Sequence, residues 1–539
     1  MRYRITALPL PLSSGQNVDR GREELRAVAA KCLGIPPQEI CALELVKQSV
    51  DARRKSDVHF VCTVDVEVER PVKGAGRNPK VSESAPYRYI LPESRPLAQR
   101  PVVVGFGPAG LFAALTLAEA GQRPIVLERG ASVEERSRDV EQFWATGSLN
   151  SNSNVQFGEG GAGTFSDGKL NTGTKDVRIR RVLEAFVEAG APECILWEAK
   201  PHIGTDRLPG AVRTLRERIR ALGGEVRFHT RLDGLLRDST GALCGLSLCG
   251  LEGQYELDCG QLILAVGHSA RDTFAMLLEE GAVLEPKPFA VGARIEHLQE
   301  WINVSQYGPS AGHPALGAAD YKLAVHLPNG RGVFTFCMCP GGTVVAAASE
   351  EGRVVTNGMS AFARDGRNAN AALLVGLTPE DFGSSHPLAG IELQRRLEAA
   401  AFQAGGGSFL APCQRVGDFL EGRATTQFGA VEPTYSRGVT PADLHGSLPG
   451  FLCEAMGEGI RQMDRKLRGF AHPDALLTAV ESRSSSPLRI LRGEGLQAPG
   501  IPGLYPCGEG AGYAGGIVSA AVDGIRCAEQ ILRNTMESV

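Results

Sequence analysis

Alternating hydrophobic and polar positions define the first predicted elements near the N-terminus. Residues 58–68 alternate apolar and mostly polar side chains, which predicts a strand with one buried face and one wet face. Residues 19–34 instead repeat apolar side chains at the spacing of an amphipathic helix. The positions expected to be buried are Val58, Phe60, Cys62, Val64, Val66 and Val68 in the strand, and Leu25, Val28, Ala29, Cys32 and Leu33 in the helix. Residues 1–70 are therefore expected to form a small α+β module.

Proline, glycine and charged residues dominate the next segment, residues 71–98, and this composition is typical of a linker. Within the N-terminal module, the predicted hairpin turn at residues 51–57 carries the basic side chains Arg53, Arg54 and Lys55. We interpret this turn as solvated, with a contact to nucleic acid as the alternative.

The strongest pattern lies in residues 101–130, where a short apolar strand, a helix of small residues and a second apolar strand follow one another. Gly105 permits the tight turn after the first strand, and Gly107 lets backbone N–H groups approach a pyrophosphate. Gly110 lets the helix lie close to the strand, with its N-terminus facing the phosphate charge. Glu128 ends the second strand, where an acid accepts hydrogen bonds from ribose hydroxyls and disfavours a 2′-phosphate. The cofactor contacts predicted from this unit are Gly105, Gly107, Pro108, Ala109, Gly110, Glu128 and Arg129.

The same glycine spacing recurs at residues 158–163 and 510–515, but neither stretch both follows a buried strand and opens a β-α-β unit. The unit at 101–130 alone leaves NAD and FAD open. An NAD enzyme would continue with further parallel β-α units, whereas this chain continues with a polar loop, a helix over 212–224 and a small antiparallel meander. A buried strand ending near Gly267 then follows, and that order is similar to FAD-binding chains of the glutathione-reductase type.

A second glycine-rich motif, residues 503–524, lies close to the end of the chain and resembles the closing motif of that superfamily. The resemblance implies a strand, an acid for the ribitol hydroxyls, and a helix whose first turn faces the flavin ring. A helix N-terminus stabilises the negative charge of a reduced flavin if glycines let the backbone approach the ring. The superfamily more often has aspartate where Glu509 stands. The contacts predicted here are Gly508, Glu509, Gly515, Gly516 and Ile517, together with Gly267 upstream.

A polar loop at residues 150–174 is rich in glycine, serine, threonine and asparagine, which offer donors to phosphate, ribitol and ring edges. In the superfamily the matching loop lies beside the isoalloxazine, so Ser166, Asp167 and Lys169 are expected near its reacting edge. The alternative is a plain surface loop. The cofactor contacts predicted in this loop are Gly161, Gly163, Thr164 and Ser166.

Three residues are the candidates for catalysis: Lys169, His202 and His268. Both histidines are placed to approach the cofactor, and the alternative for each is a structural role. Three arginines are expected to bind either an anionic substrate or the FAD pyrophosphate; they are Arg207, Arg271 and Arg294. Cys337 and Cys339 lack further ligands at short spacing, so no metal site is predicted, and buried structural thiols are favoured over a thiol role.

Several segments together resemble one family, that of the uncharacterised FAD-dependent dehydrogenases found in bacteria and plastids. They include FGEGGAGTFSDGKL, LAVGHSARDTF, FCMCPGG, ESRSSSPLRI and GLYPCGEGAGYAGGIVSAAVDGI. The resemblance implies an α/β fold with a discontinuous Rossmann-like FAD-binding domain and an inserted α+β substrate domain. The boundaries we expect are 1–70 for the N-terminal module, 71–98 for the linker, 99–280 and 498–539 for the FAD-binding domain, and 281–497 for the substrate domain.

Composition places few further limits on the protein. The 539 residues are 43% hydrophobic, and 57 basic against 61 acidic side chains give a net charge of −4. General attraction to nucleic acid or to an anionic membrane is therefore not expected. No apolar run approaches the roughly 20 residues of a membrane span. The 13 scattered cysteines favour a reducing compartment, which we take to be the cytoplasm.

These observations predict a flavoprotein oxidoreductase that exchanges a hydride between flavin N5 and a small organic substrate. No second β-α-β fingerprint is found, so NAD(P)H is expected to bind only transiently, if at all. The alternative is a flavin-containing sensor without catalysis, or a module that binds RNA or protein.

Overall fold

The N-terminal module is a four-stranded sheet covered by helices, as the periodic patterns predict. The structure is a computed structural model that describes residues 1–15 and 18–537. The sheet has the strand order β2-β3-β1-β4, and the alternating positions from Val58 to Val68 each keep at most 8% of their surface exposed. The elements are β1 (Arg2–Pro11), α1 (Leu12–Gly15), α2 (Val18–Leu33), β2 (Ile40–Asp51), β3 (His59–Val68) and β4 (Val81–Glu83).

Strand β4 falls within the predicted linker, so part of that segment belongs to the N-terminal sheet. It pairs with β1, with Val81 opposite Ile5. The rest of the segment lies against the next domain, where the Tyr89 hydroxyl donates to Glu529 and the Arg95 amide donates to the Thr535 hydroxyl. Proline-rich composition indicated the lack of a regular period but not these tertiary contacts.

A five-stranded parallel sheet with the order β23-β11-β5-β6-β7 forms the second domain. Its strands are β5 (Val102–Val104), β6 (Ile125–Leu127), β7 (Glu225–Arg227), β11 (Leu262–Leu264) and β23 (Leu504–Pro506). The last strand comes from the C-terminal end of the chain and pairs with β11, which confirms the predicted discontinuous Rossmann-like fold. A separate antiparallel meander contains β8 (Arg231–Arg237), β9 (Leu243–Gly250) and β10 (Gly253–Asp258).

Two helices of this domain pack so closely that only small residues fit between them. The helices are α3 (Pro108–Glu119) and α12 (Ile517–Glu537), and a side chain at Gly524 would come within 2.0 Å of the Ala109 carbonyl oxygen. The remaining helices of the domain are α4 (Val133–Thr146), α5 (Arg178–Glu188), α6 (Leu208–Ala221) and α7 (Arg271–Glu279).

The segment between β11 and β23 contains the inserted α+β domain. Its chain enters through β12 (Leu284–Pro286) and leaves through β22 (Leu488–Ile490), and these two strands pair with each other. Between them is a seven-stranded sheet with the order β14-β15-β18-β13-β21-β19-β20. Its strands are β13 (Phe289–Leu298), β14 (Ala324–His326), β15 (Gly332–Cys339), β18 (Asn368–Leu377), β19 (Ala411–Arg415), β20 (Val439–Pro441) and β21 (Leu476–Glu481).

Four helices and a small strand pair complete the inserted domain, and the largest hydrophobic cluster of the protein is its core. They are α8 (Gln299–Tyr307), α9 (Ala389–Ala404), α10 (Val416–Glu421), α11 (Gly450–Asp464), β16 (Thr343–Ala346) and β17 (Thr356–Met359). Within the described part of the chain, no helix has both the length and the apolar composition needed to cross a bilayer.

Candidate cofactor and substrate cavity

One cavity of about 710 Å³ lies at the carboxyl ends of the parallel strands and extends between the sheet and the inserted domain. Its first part is lined by the turns that follow β5, β6 and β11. Its second part is lined by β15, β17 and the end of β21. In open α/β sheets this end of the strands is where ligands bind.

The turn after β5 has the conformation that its glycines predict. Gly105 has φ of +95°, and a Cβ atom there would lie 2.6 Å from the Ala265 carbonyl oxygen. A Cβ atom at Gly110 would lie 1.9 Å from the Gly105 carbonyl oxygen, so Gly110 is required for packing of α3 and does not line the cavity. Gly107 precedes α3, and no side chain caps the helix, so its first N–H groups are available to a phosphate.

Glu128 connects three loops at the rim of the cavity. Its carboxylate accepts hydrogen bonds from the backbone amides of Phe106 at 2.8 Å, Gly130 at 2.9 Å and Gly158 at 3.1 Å. The residue is 5% exposed and lines the cavity. The acid predicted to bind a ribose therefore also fixes the glycine turn against the loop at residues 154–161.

Arg136 organises that loop, and the sequence analysis missed it. Its guanidinium is fully buried and donates to five main-chain carbonyls between residues 154 and 161, at 2.6–3.3 Å. Burial lowers the pKa of Arg136 to about 10. An arginine on an amphipathic helix resembles an ordinary surface residue, so no sequence signal distinguished it.

The C-terminal glycines line the middle of the cavity. Gly515 and Gly516 precede α12, and Ile517 is its first residue. A Cβ atom at Gly267, Gly515 or Gly516 would meet nothing within 4 Å, so each of these backbones borders open space. Bare backbone beside a helix N-terminus is the surface that a flavin ring requires, so these residues fit FAD.

Glu509 and His268 face each other across this part of the cavity, with His268 Nε2 3.8 Å from Glu509 Oε1. Burial raises the pKa of Glu509 to about 7, against a smaller opposite effect of Lys287. Burial, together with the positive charges of Arg483 and Arg271, lowers the pKa of His268 to about 3. The imidazole is therefore neutral at physiological pH.

Asp167 joins the two domains through two cations. Lys169 Nζ lies 2.9 Å from its carboxylate, and Arg364 of the inserted domain forms a bidentate pair with it at 2.5 and 2.9 Å. Burial alone would raise the pKa of Asp167, but Lys169 and Arg364 together lower it to about 2. Lys169 also donates to the Met338 carbonyl on β15. Asp167 and Lys169 both line the cavity, and their position near the reacting edge of a flavin stays a prediction.

The wall from the inserted domain contains a bulge of β15 between Phe336 and Cys339. Cys337, within the bulge, has φ of +42° and is exposed beside the cavity, whereas Cys339 is buried. Behind this wall, the buried Arg294 pairs with Glu481 at 2.9 Å and donates to the Cys337 carbonyl. Arg294 therefore supports the wall and does not line the cavity.

Most of the predicted contacts line the cavity, and several do not. Those that do are Gly105, Gly107, Pro108, Ala109, Glu128, Arg129, Gly161, Gly163, Ser166, Lys169, Gly267, His268, Glu509, Gly515, Gly516 and Ile517. The predicted residues outside its lining are Gly110, Thr164, His202, Arg207, Arg271, Arg294 and Gly508.

The predicted catalytic role of His202 is not favoured by its position. Its ring stacks on Phe362 with centroids 5.0 Å apart, and its Nε2 lies 2.9 Å from the Phe362 carbonyl oxygen. The guanidinium of Arg207 lies over the same ring, 3.9 Å from the Phe362 centroid. Both side chains have structural partners that the sequence did not reveal.

Two residues predicted to contact the cofactor form hydrogen bonds within the protein instead. The Thr164 hydroxyl donates to the Glu159 carbonyl at 3.4 Å, and the Gly508 amide donates to Asp523 at 2.8 Å. Asp523 also lies within 4.8 Å of the Cys507 and Cys527 thiols, a grouping of potential metal ligands in the described chain. Because Arg492 donates to both oxygens of Asp523, at 2.7 and 2.9 Å, a cation already neutralises that carboxylate.

Comparison with known proteins assigns three regions of the chain. Residues 100–197 match a family described as an FAD binding domain, and residues 288–484 match one described as the C-terminal domain of FAD-dependent proteins. Residues 4–67 match a domain of unknown function. A protein of Clostridium beijerinckii, itself without an assigned activity, is 48% identical over 537 residues, which is 99% of each chain.

Solved structures resemble the chain only loosely. A flavin-dependent brominase mutant is 12% identical with a TM-score of 0.39, covering 82% of this chain and 81% of its own. A flavoprotein/dehydrogenase from Cytophaga hutchinsonii is 11% identical with a TM-score of 0.37, covering 81% of this chain and 79% of its own. These superpositions are too distant to carry an argument about chemistry.

Proposed function

The chain belongs to a family of FAD-dependent proteins, and on that premise we propose that it is an oxidoreductase acting on a small organic substrate. One observation carries the proposal: the residues that fit FAD and the wall of the inserted domain line a single cavity. A substrate enclosed by that wall would lie in the same space as the flavin ring. Ligand sites of this kind form where two domains meet.

The chain offers a separate group of residues to each part of FAD. Glu128 is available to the adenosine ribose, and the free N–H groups of α3 are available to the pyrophosphate. Arg129 lines the same part of the cavity, with its guanidinium held by Asp272 and Thr273. Glu509 is available to the ribitol, and the start of α12 to the ring. When bound, FAD supplies an N5 atom that accepts or returns a hydride.

Two side chains are proposed to assist the reaction. The neutral imidazole of His268 would exchange a proton with the substrate, because the residue lines the cavity and its Nδ1 has no hydrogen-bond partner among the described residues. Lys169 would provide a fixed positive charge, held by Asp167 and by the Met338 carbonyl. The inserted domain would exclude water by covering this end of the cavity.

The test is anaerobic stopped-flow reduction of the bound flavin by candidate metabolites, followed at the flavin absorbance. Replacing His268→Gln is expected to slow reduction by about a hundredfold or more, as loss of a general base does. His202→Gln is the matched control, because His202 lies outside the cavity lining, and it should reduce at nearly the wild-type rate. Failure of every donor, NADH and NADPH included, to reduce the flavin would contradict the proposal.

Nicotinamide binding is predicted to be weak. Ordinary nicotinamide sites gain affinity from a pyrophosphate bound at a helix N-terminus. In this chain the N-terminus of α3 fits the FAD pyrophosphate, so it does not serve a nicotinamide cofactor. Flavin reduction by NAD(P)H should therefore saturate only at high concentration, and purified protein should retain no nicotinamide. Equilibrium titration of the FAD-loaded protein measures this, and a tight stoichiometric site would show that a binding region had been missed.

The sensor or RNA-binding alternative gains no specific support from the basic turn of the N-terminal module. Arg53 is engaged by Asp51 at 2.5 Å, and Lys55 packs against the backbone of Gly308. We propose a cytoplasmic location, which the scattered spacing of the 13 cysteines along the sequence supports.

A further inference from the structure

The wall formed by β15 carries positive charge on both sides of one short segment. The pairing of β14 with β15 continues beyond β14, because the Thr335 amide donates to the Leu323 carbonyl at 2.8 Å. This register places Lys322 opposite Phe336 and on the same face of the sheet. On the other side of the segment, Lys169 donates to the Met338 carbonyl. Lys322, Phe336, Met338 and Lys169 all line the cavity.

The carboxylates on this wall are already paired with cations. Glu481 pairs with Arg294 at 2.9 Å, and Asp320 pairs with Lys200 at 2.6 Å. Asp167 is shared between Lys169 and Arg364, so one carboxylate faces two cations. Lys322 has no hydrogen bond or ion pair with any described residue. The wall therefore has more positive than negative charge.

The cationic excess is separate from the phosphate end of the cavity. The FAD pyrophosphate is expected at the glycine turn and at the N-terminus of α3, which belong to the Rossmann-like domain, whereas β15 belongs to the inserted domain. The three arginines that the sequence suggested for an anionic substrate all have internal partners. The cation of this wall without a partner among the described residues is Lys322, and Lys169 reaches the same wall through its hydrogen bond to Met338. The sequence analysis singled out neither lysine for anion binding.

An uncompensated cation at the wall of a partly enclosed cavity attracts an anion more strongly than it would in open water. The exposed part of Phe336 beside Lys322 offers an apolar surface next to the charge. Together they match a ligand with an anionic group attached to a short apolar body.

We propose that the substrate is a small organic anion whose carboxylate or phosphate group is bound by Lys322 and Lys169, with its carbon skeleton against Phe336. This inference deepens the proposed function and rests on it for the statement that the bound anion is the substrate. The binding itself does not depend on hydride transfer.

The experiment is isothermal titration of the FAD-loaded protein with four pairs of probes that differ in charge. Glutarate is compared with glutaramide, benzoate with benzamide, glycerol 3-phosphate with glycerol, and ADP-ribose with adenosine. We expect at least one small acid to bind and its neutral partner to bind much more weakly. Added salt should lower the affinity of the protein for the acid. The carboxylates and the phosphate ester separate the two sources of negative charge.

The variant Lys322→Gln tests the residue assignment. Loss of one charge-assisted hydrogen bond should lower the affinity for the acid by about ten- to a hundredfold. Lys322→Arg should retain most of the affinity, and Lys31→Gln, which removes the same charge on α2 of the N-terminal module, should bind like wild type. FAD content is measured for each variant by absorbance.

Four results would overturn the inference: no small acid binds, neutral partners bind as tightly, Lys322→Gln binds like wild type, or only ADP-ribose binds. The last would identify the lysines as a nucleotide site. The proposed function fails in a different way, when acids bind as expected and yet no donor reduces the flavin.

Discussion

Glu128 shows how a single side chain can define the cofactor site. Its two carboxylate oxygens accept from the amides of Phe106, Gly130 and Gly158, which belong to three different loops. A carboxylate can accept from all three and still offer lone pairs to a ribose. An amide cannot, because its NH2 group would point at a backbone donor.

Replacing Glu128→Gln is therefore expected to destabilise the protein by about 1–3 kcal/mol and to weaken FAD binding. Chemical denaturation gives the first quantity, and FAD titration of the cofactor-free protein gives the second. Glu225→Gln is the control, because Glu225 is half-exposed on the neighbouring strand β7 and pairs only with surface arginines. Equal effects of the two substitutions would contradict the role assigned to Glu128.

The raised pKa of Glu509 makes the stability of the cofactor-free protein depend on pH. Burial raises its pKa in the folded state to about 7, above the usual value of about 4.3. A carboxyl group with a raised pKa favours folding while it is protonated, so stability should fall as the pH rises from about 4.5 through about 7. Urea denaturation of FAD-free protein across this range measures the fall. Glu509→Gln should remove this component, and an unchanged profile in the variant would assign it to another group.

At the scale of elements, helix α4 supports the loop at residues 154–161 through one side chain. Arg136 satisfies five carbonyls that face away from solvent. A buried loop is rare because its backbone groups need partners, and here one guanidinium provides them. The loop in turn lies so close to the glycine turn that a Cβ atom added at Gly161 would be only 3.0 Å from Gly107 Cα.

Arg136→Met should therefore disorder the loop and abolish FAD retention, because an apolar side chain leaves these carbonyls without donors. The costs of unsatisfied buried groups suggest a loss of at least about 3 kcal/mol. Flavin absorbance after desalting and the thermal midpoint are the measurements. Arg138→Met on the exposed face of the same helix should change neither. Full FAD occupancy in Arg136→Met would show that the loop holds its shape without the arginine.

At the scale of the whole molecule, a buried ion cluster connects the Rossmann-like domain to the insertion. Glu398 on α9 has no exposed surface and pairs with Arg271 on α7 at 2.7 Å and with Arg483 after β21 at 3.0 Å. Burial alone would raise the pKa of Glu398, but the two guanidinium groups hold it far below its usual range. The carboxylate thus remains charged and keeps two arginines from different regions together.

Glu398→Gln should destabilise the protein by about 3–5 kcal/mol, since two buried cations would lose their carboxylate. Denaturant unfolding followed by fluorescence measures the loss. Glu392→Gln, on the exposed side of the same helix, is the control and should cost less than about 1 kcal/mol. Equal stability of the two variants would show that the cluster does not join the domains.

Much of the fold and most of the cofactor site could be predicted from the sequence, because they depend on local rules. Period-two and helical patterns identified the N-terminal module, and the order of strands, helix and glycines identified the dinucleotide turn. Gly105 and Gly110 are required by backbone geometry that no other residue allows, so the sequence specifies them directly. The C-terminal glycines were recognisable for a different reason, their resemblance to the closing motif of FAD-binding chains.

Tertiary structure decided which polar side chains reach the cavity. His202, Arg271 and Arg294 were plausible candidates, yet each is held by partners from distant segments: Phe362, Glu398 and Glu481. The roles of Arg136 and Lys322 could not be predicted from the local sequence. The same sequence pattern is found whether a charged residue in a helix or at a strand edge faces water, a loop or a ligand. The sequence determined the conformation of the backbone around the cofactor through steric limits on single residues. The direction and pairing of long charged side chains were decided only when segments hundreds of residues apart came together, because ion pairing depends on distance in space and not on position along the chain.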